Sequence, residues 1–381
     1  MNKIKLWGVL GLSLLSFQAM AQNEDVLKVT PTGRILMDAG MYNSSNENFV
    51  DGVAIPDLRA GVKATYGKYK VKVDVGYAYG KVSLKDAFVE RRFSKSSLLR
   101  VGNFVHQFGL QSATSSSMKV TMEEPASNEA FFNSRLLGAM FVYDKEAFFG
   151  TASAHVESEA IKRQSNELGS TAYGAMSRLV YRPLREDGAI FQIGLSGAYE
   201  KPRFNADAAL NHSSFSLGSN FPTRIAKVKA IGATITDAEG LFKFTPEIAA
   251  AYGPMALETQ YYYLQIDRKK QLPSYKASGA YVTLRGLILG GNYKHSYSDC
   301  GFATPGAGSL ECVLGYNYTD MSCVKSDIRG GRLNDVSFTV NYYLNKCMIW
   351  RLRYSYTDVK NREGFENQNM SGLQTRFQII F

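Results

Sequence analysis

After its first twenty-one residues the chain has no run of eighteen apolar residues, which excludes a membrane-spanning helix. Cysteine is scarce. Cys300, Cys312, Cys323 and Cys347 form no CxxC pair and have no histidine at metal-ligand spacing, so no zinc site is expected. No glycine-rich phosphate loop opens a helix, so nucleotide binding has no support. The four histidines, His106, His155, His212 and His295, are scattered. None stands in a telling relation to Ser170, Ser177 or Asp207, and they read as ordinary loop or lumen side chains. The sequence therefore points to no enzyme, no cofactor and no metal. Tryptophan occurs only twice, yet there are 23 tyrosines and 22 phenylalanines, an unusual balance for a soluble protein.

What is present begins at the N-terminus. Lys3 and Lys5 precede the apolar stretch Leu6 to Phe17, which is interrupted only by glycines and serines, and Ala19-Met20-Ala21 follows. That order is a secretory signal peptide, too short to span a bilayer. Cleavage is expected after Ala21, leaving 22–381 as one domain. The net charge is +10, and Lys3 and Lys5 leave with the leader. In an exported chain such a balance does not suggest a nucleic-acid partner; what matters is where the charge sits. Export also makes disulfides chemically accessible, with the pairing left open.

The dominant pattern has period two. Tyr69, Val71, Val73, Val75 and Tyr77 share one face, and Lys70, Lys72, Asp74 and Gly76 the other. The preceding segment alternates likewise: Leu58, Ala60, Val62, Ala64 and Tyr66 against Asp57, Arg59, Gly61, Lys63 and Thr65. Gly67-Lys68 joins the two segments, as in a β-hairpin. Similar alternation recurs at 34–38, 189–196, 255–261, 350–356 and 373–381. The whole chain holds roughly sixteen such segments, of the length expected of transmembrane barrel strands. Two stretches, 105–135 and 201–225, lack alternation and read as loops, external or folded inward.

A soluble β-sandwich also alternates. Three features favour an all-β transmembrane antiparallel barrel instead. The polar face carries full charges repeatedly, as a wet lumen does. The apolar face is capped by Tyr and Phe, as membrane interfaces require. The chain stops on Phe381, like the terminal aromatic strand of outer-membrane proteins. Parity then assigns Arg34, Arg59, Lys63, Lys70, Lys72, Arg178, Arg182, Arg351, Arg353 and Arg376 to the pore wall as anion-binding candidates. Asp38, Asp57, Asp74, Glu258 and Glu311 are the acidic lumen candidates. Arginine suits oxyanions because its planar fork donates two parallel hydrogen bonds, whereas lysine acts as a point charge. The expectation is a passive outer-membrane channel for small hydrophilic, anion-preferring traffic; the alternative is a structural or adhesive barrel with a closed pore.

Several segments resemble one family, the phosphate-selective porins O and P. The clearest is Gly330-Gly331-Arg332-Leu333-Asn334-Asp335-Val336, running on through Val340-Asn341-Tyr342-Tyr343-Leu344-Asn345. It is similar to a family signature of a glycine-pair turn, Asn-Asp, and an aromatic strand ending Tyr-Leu-Asn. Leu310 to Tyr318 resembles the strand before it. Leu84 to Glu90, Val101 to Phe104 and Phe108-Gly109-Leu110 resemble early strands and the start of a long loop; Tyr252-Gly253-Pro254 resembles a tight periplasmic turn. The resemblance implies about sixteen strands, a homotrimer, a loop constricting the pore, and passive uptake of phosphate or related anions without cofactor or catalysis. The loop candidate at 105–135 carries Glu123, Glu124 and Glu129 against Lys119 and Arg135, where an anion-selecting loop would be expected to be basic.

Overall fold

A computed structural model describes residues 26–45, 49–132, 135–156, 172–204 and 213–381. The expected leader lies outside these residues. The first nine strands are β1 (Lys28–Ser44), β2 (Gly52–Tyr66), β3 (Tyr69–Ala78), β4 (Lys81–Ser94), β5 (Ser97–Phe104), β6 (Leu136–Lys145), β7 (Phe148–Val156), β8 (Tyr173–Glu186) and β9 (Ala189–Lys201). A small separate sheet follows: β10 (Arg203–Phe204), β11 (Ser213–Asn220) and β12 (Lys229–Thr236). Then come β13 (Ala238–Tyr252), β14 (Met255–Arg268) and β15 (Tyr275–Leu289), a two-residue pair β16 (His295–Ser296) and β17 (Gly301–Phe302), and finally β18 (Ser309–Cys323), β19 (Ile328–Tyr343), β20 (Met348–Arg362) and β21 (Gln368–Ile380). Apart from the two small sheets, the strands form one closed antiparallel barrel of sixteen.

Closure joins β1 to β21, with Arg34 opposite Ile380 and Ser44 opposite Met370. The hairpin expected at 57–77 has the predicted register, Leu58 opposite Tyr77 and Tyr66 opposite Tyr69. Gly67 turns it with φ +52°, a left-handed conformation that glycine adopts without steric cost. The apolar row of β3 faces outward: Tyr69, Val71, Val73, Val75 and Tyr77 are each 40–48% exposed, while Asp74 is 6% exposed. A continuous apolar belt of this kind would be unsupported in water and is stable in hydrocarbon. Two-residue turns at 67–68, 95–96, 146–147, 187–188 and 253–254 share one end with the start of β1 and the end of β21. Short turns mark the periplasmic end.

The interior is only partly open. Within the stretch 105–135 lie two short helices, α1 (Gly109–Ala113) and α2 (Ala126–Phe131), folded against the barrel wall. Neither helix has a side-chain cap, so wall contacts must hold them. Gln111 N donates to Gln260 Oε1 at 2.8 Å, Tyr262 Oη donates to Asn128 Oδ1 at 3.0 Å, and Asn317 Nδ2 donates to Ser127 Oγ at 2.7 Å. Gly109 has φ +82°, and a Cβ there would lie 1.9 Å from Gln260 Nε2; a larger residue would strain the backbone and push the Gln260 amide aside.

The other non-alternating stretch departs from its expectation as a loop. Ser213–Asn220 is a strand, held between β10 and β12. Its Ser- and Asn-rich sequence hid a strand that depends on pairing rather than on a hydrophobic pattern. The small sheet plugs the long-loop end of the lumen: Phe221, Ile231 and Ile235 are buried against inward-facing Leu264, Ile266, Met321 and Leu333. A third intrusion comes from the periplasmic end. Residues 290–308, with β16 and β17, fold inward and bury Cys300 completely. The glycine pair Gly330-Gly331 lies inside β19, and the reversal falls instead at Val324–Asp327.

The outward assignment of β3 makes a first prediction. Val73→Arg near its middle should destabilise the inserted barrel by about 2–4 kcal/mol, while Lys72→Ala on the inner face should cost far less. Reversible denaturant unfolding in liposomes measures both.

Candidate pore lining

Among the described residues, the three intrusions leave a main passage, a cavity of about 1080 Å³ beside β1–β6. Its wall follows from parity and one bulge. Between β3 and β4 the register shifts, so that Lys85 and Asp86 together oppose Asp74. A bulge lets two consecutive residues face the same side, and both Lys85 and Asp86 line the cavity.

Around this wall, carboxylates hold cations in chains. Asp57 binds Arg34 and, at 2.9 Å, Arg59. Glu90 binds Lys70 and Arg100, each at 2.8 Å. Lys72 bridges Asp74 at 2.7 Å and Asp86 at 2.9 Å, and Arg135 reaches Asp86 at 2.8 Å. Lys85 makes no ion pair among the described residues; its side chain lies across Gly76, where a Cβ would meet Lys85 Cε at 2.4 Å. Seven cations (Arg34, Arg59, Lys70, Lys72, Lys85, Arg100, Arg135) thus surround four carboxylates (Asp57, Asp74, Asp86, Glu90), an excess of three positive charges. The loop faces this wall with hydroxyls: Arg34 donates to Ser116 Oγ at 2.8 Å and Ser115 Oγ at 3.4 Å.

Of the ten cations expected on the pore wall, Arg34, Arg59, Lys70 and Lys72 line this passage. Lys63 is half-buried on the same inner face, opposite Lys72, but beyond the cavity. Arg178, Arg182, Arg353 and Arg376 are fully buried and clamp the intrusions. Arg178 grips Glu247 through two bonds, at 3.0 and 2.6 Å, and donates to the Asp299 carbonyl at 2.6 Å. Arg182 pairs with Asp144 and reaches Cys300 Sγ at 3.1 Å. Arg353 pairs with Asp335 at 2.9 Å and donates to the Pro222 carbonyl. Arg376 grips Asp38 at 2.7 and 2.6 Å and Glu123 at 2.6 Å. Arg351 lines a small chamber beside this passage, and the two share Gln111, Thr114, Lys119 and Asp299.

Sequence reasoning missed Lys85, Arg100 and Arg135. The bulge inverts parity at Lys85, and Arg135 lies beyond the alternating segments. For Arg100, the Glu90 opposite it in β4 was the available signal. Three of the five acidic candidates anchor arginine clamps: Asp38 with Arg376, Glu258 with Arg285, and Glu311 with Arg285. Asp57 and Asp74 line the passage. In the intruding segments, burial lowers His106 to about 3 and His295 to about 4, so neither carries charge at neutral pH. Burial also pushes the Cys300 thiol up to about 11. The four cysteines are free thiols.

A family model described as phosphate-selective porin O and P matches residues 33–381. No curated protein matches the sequence. Among solved structures, the fold is similar to an anion-selective porin from Comamonas acidovorans (11% identity, 93% of this chain and 100% of that one, TM-score 0.56). It is also similar to OmpT of Vibrio cholerae (13% identity, 93% and 98%, TM-score 0.57). OmpF of Salmonella typhi gives 10% identity, 94% and 99% coverage, and a TM-score of 0.55. At these identities the likeness is one of fold.

Two predictions follow from the clamps and the buried histidines. Arg376→Gln leaves Asp38 buried without its cation, beside a Glu123 that keeps only Arg224, and should cost about 3–5 kcal/mol; it should also loosen the inward loop, read as larger and noisier single-channel current. For His106, the folded state refuses a proton that the unfolded chain takes up at an ordinary value of 6.5. Stability contributed by this group is therefore complete above pH 6.5 and declines as pH falls toward 3. His106→Phe should flatten that part of the pH dependence of the thermal midpoint.

Proposed function

Because the chain belongs to the phosphate-selective porin O and P family, an outer-membrane channel, we propose that it conducts small hydrophilic solutes passively and prefers anions, phosphate or related species. The observation that carries the preference is the excess of three positive charges along the β1–β6 wall. A confined wall of one sign concentrates counter-ions and repels co-ions. Over the whole passage the lining has eleven basic and eight acidic side chains, so the excess persists when the loop residues are included.

Transport without catalysis fits this lining, most of whose charged groups are engaged in ion pairs rather than set beside one another as a nucleophile and base. Assembly as a homotrimer, insertion among outer-membrane lipids and removal of residues 1–21 complete the reading. One of the similar structures is a trimer form of OmpT, an outer membrane protein of Vibrio cholerae. The closed-barrel alternative draws on the three intrusions, and conductance separates the two.

Reversal potentials in a salt gradient across a planar bilayer provide the test. Purified protein should give a potential of the sign for anion preference, and Lys85→Glu should move it toward zero by reversing a cation that no carboxylate holds among the described residues. A cation-preferring channel, or no channel current, would reject the proposal.

A further inference from the structure

A second cavity, about 230 Å³, lies between the inward loop and the periplasmic intrusion. It is smaller than the roughly 300–1,000 Å³ of drug-sized sites, and it opens past Ser298 and Thr304, both exposed. Five charged side chains line it, and three of them are matched. Lys119 is held by Gln111 Oε1 at 3.0 Å and lies 3.7 Å from Glu124. Glu258 and Arg285 pair at 2.9 Å, and Arg285 pairs again with Glu311.

Two charges remain, one of each sign. Arg351 is 1% exposed. It donates only to neutral oxygens: the Lys119 carbonyl at 2.5 Å, the Ser117 carbonyl at 3.1 Å and Asn341 Oδ1 at 3.3 Å. Its Nε has no partner, and no carboxylate contacts it among the described residues. The Asp299 carboxylate receives hydroxyls from Ser296 and, at 3.4 Å, Thr114, and its own backbone N–H. No cation contacts it among the described residues, since Arg178 takes the Asp299 backbone carbonyl instead. A buried charge lacking its opposite is costly; Arg351 is such a charge, and Asp299, half-buried, borders the same water-accessible chamber with no cation against its carboxylate among the described residues. Leu110 and Phe302 add apolar surface to the lining.

We propose that this chamber binds a small zwitterion of α-amino-acid size, its carboxylate on Arg351 and its ammonium on Asp299. A simple anion would satisfy Arg351 and leave Asp299 facing like charge; a simple cation would do the reverse. One molecule carrying both charges compensates both groups. The site rests on the reading of the chain as a solute channel, and it names a solute class that can pause between the two intrusions on its way through. Binding there must stay weak for the solute to leave.

The test uses detergent-purified full-length protein, with calorimetric titration of L-alanine, propionate and ethylamine. Alanine should bind saturably, and each single-charge analogue about tenfold more weakly or worse, the equivalent of one lost charge contact. Asp299→Asn keeps its hydroxyl partners and should weaken alanine about tenfold while sparing propionate. Arg351→Gln should abolish both, and it is scored only if the barrel still shows its heat-dependent gel shift; otherwise the analogue series and Asp299→Asn decide. Propionate binding as tightly as alanine, no alanine binding, or an indifferent Asp299→Asn would overturn the site. Bilayer current from the same preparation keeps the two readings apart: intact conductance without alanine binding rejects the chamber alone, and absent conductance rejects the channel.

Discussion

Everything in this molecule depends on the ladder between its first and last barrel strands. Hydrocarbon offers no water to an unpaired amide, so a sheet with a free edge cannot stand in a bilayer. Gly33 and Phe381 exchange backbone hydrogen bonds of 2.8 and 3.0 Å, which seal the ladder at that point. Gly33 has no side chain at the point where the Phe381 ring lies, 2.4 Å from where a Cβ would be. Once the ring is closed, every strand has two neighbours, and alternation sorts all side chains into lipid and lumen.

Closure creates the problem that the arginines solve. Sixteen strands enclose more space than their own side chains fill, and the chain fills it with three intruding segments. Intruding backbone brings carbonyls and amides that need partners. Arg178, Arg351, Arg353 and Arg376 each donate to such carbonyls, and three of the four are balanced by a carboxylate from the wall or loop. A guanidinium suits this work because its five donors can serve a carboxylate and a carbonyl at once. The long-loop end of the far wall is sealed differently, by apolar packing of the small sheet on Leu264, Ile266 and Leu333. Ionic clamps and an apolar plug together confine the main passage to the β1–β6 side.

Much of this was legible in the sequence, and the limits have identifiable causes. Period two revealed the barrel, the 57–77 hairpin and the inner faces of Arg34, Arg59, Lys70 and Lys72, because a one-residue pleat leaves no ambiguity about side. Parity says which side chains point inward but not what they meet there. Arg178 and Arg376 were therefore indistinguishable from Arg59 until the intrusions were in place. The bulge at Lys85-Asp86 was invisible because both residues are polar, so neither broke the apolar row. The strand at 213–220 went unread because its sequence, Ser-Ser-Phe-Ser-Leu-Gly-Ser-Asn, shows little hydrophobic contrast between faces.

The pairing of the wall also bears on how an anion would be held. An arginine whose fork is closed on a carboxylate cannot offer that fork to a phosphate. Arg59 uses Nε and Nη2 on Asp57, and Arg34 shares the same carboxylate. What such a wall presents is a field, set by the excess of cations over carboxylates, with Lys85 as a compact charge that no acid pairs with among the described residues. A field draws anions in without fixing their shape, and it leaves each contact weak enough to break. Acidic residues interleaved with the basic ones are therefore no contradiction of anion preference: they hold the cations in place and keep the passage from becoming a trap.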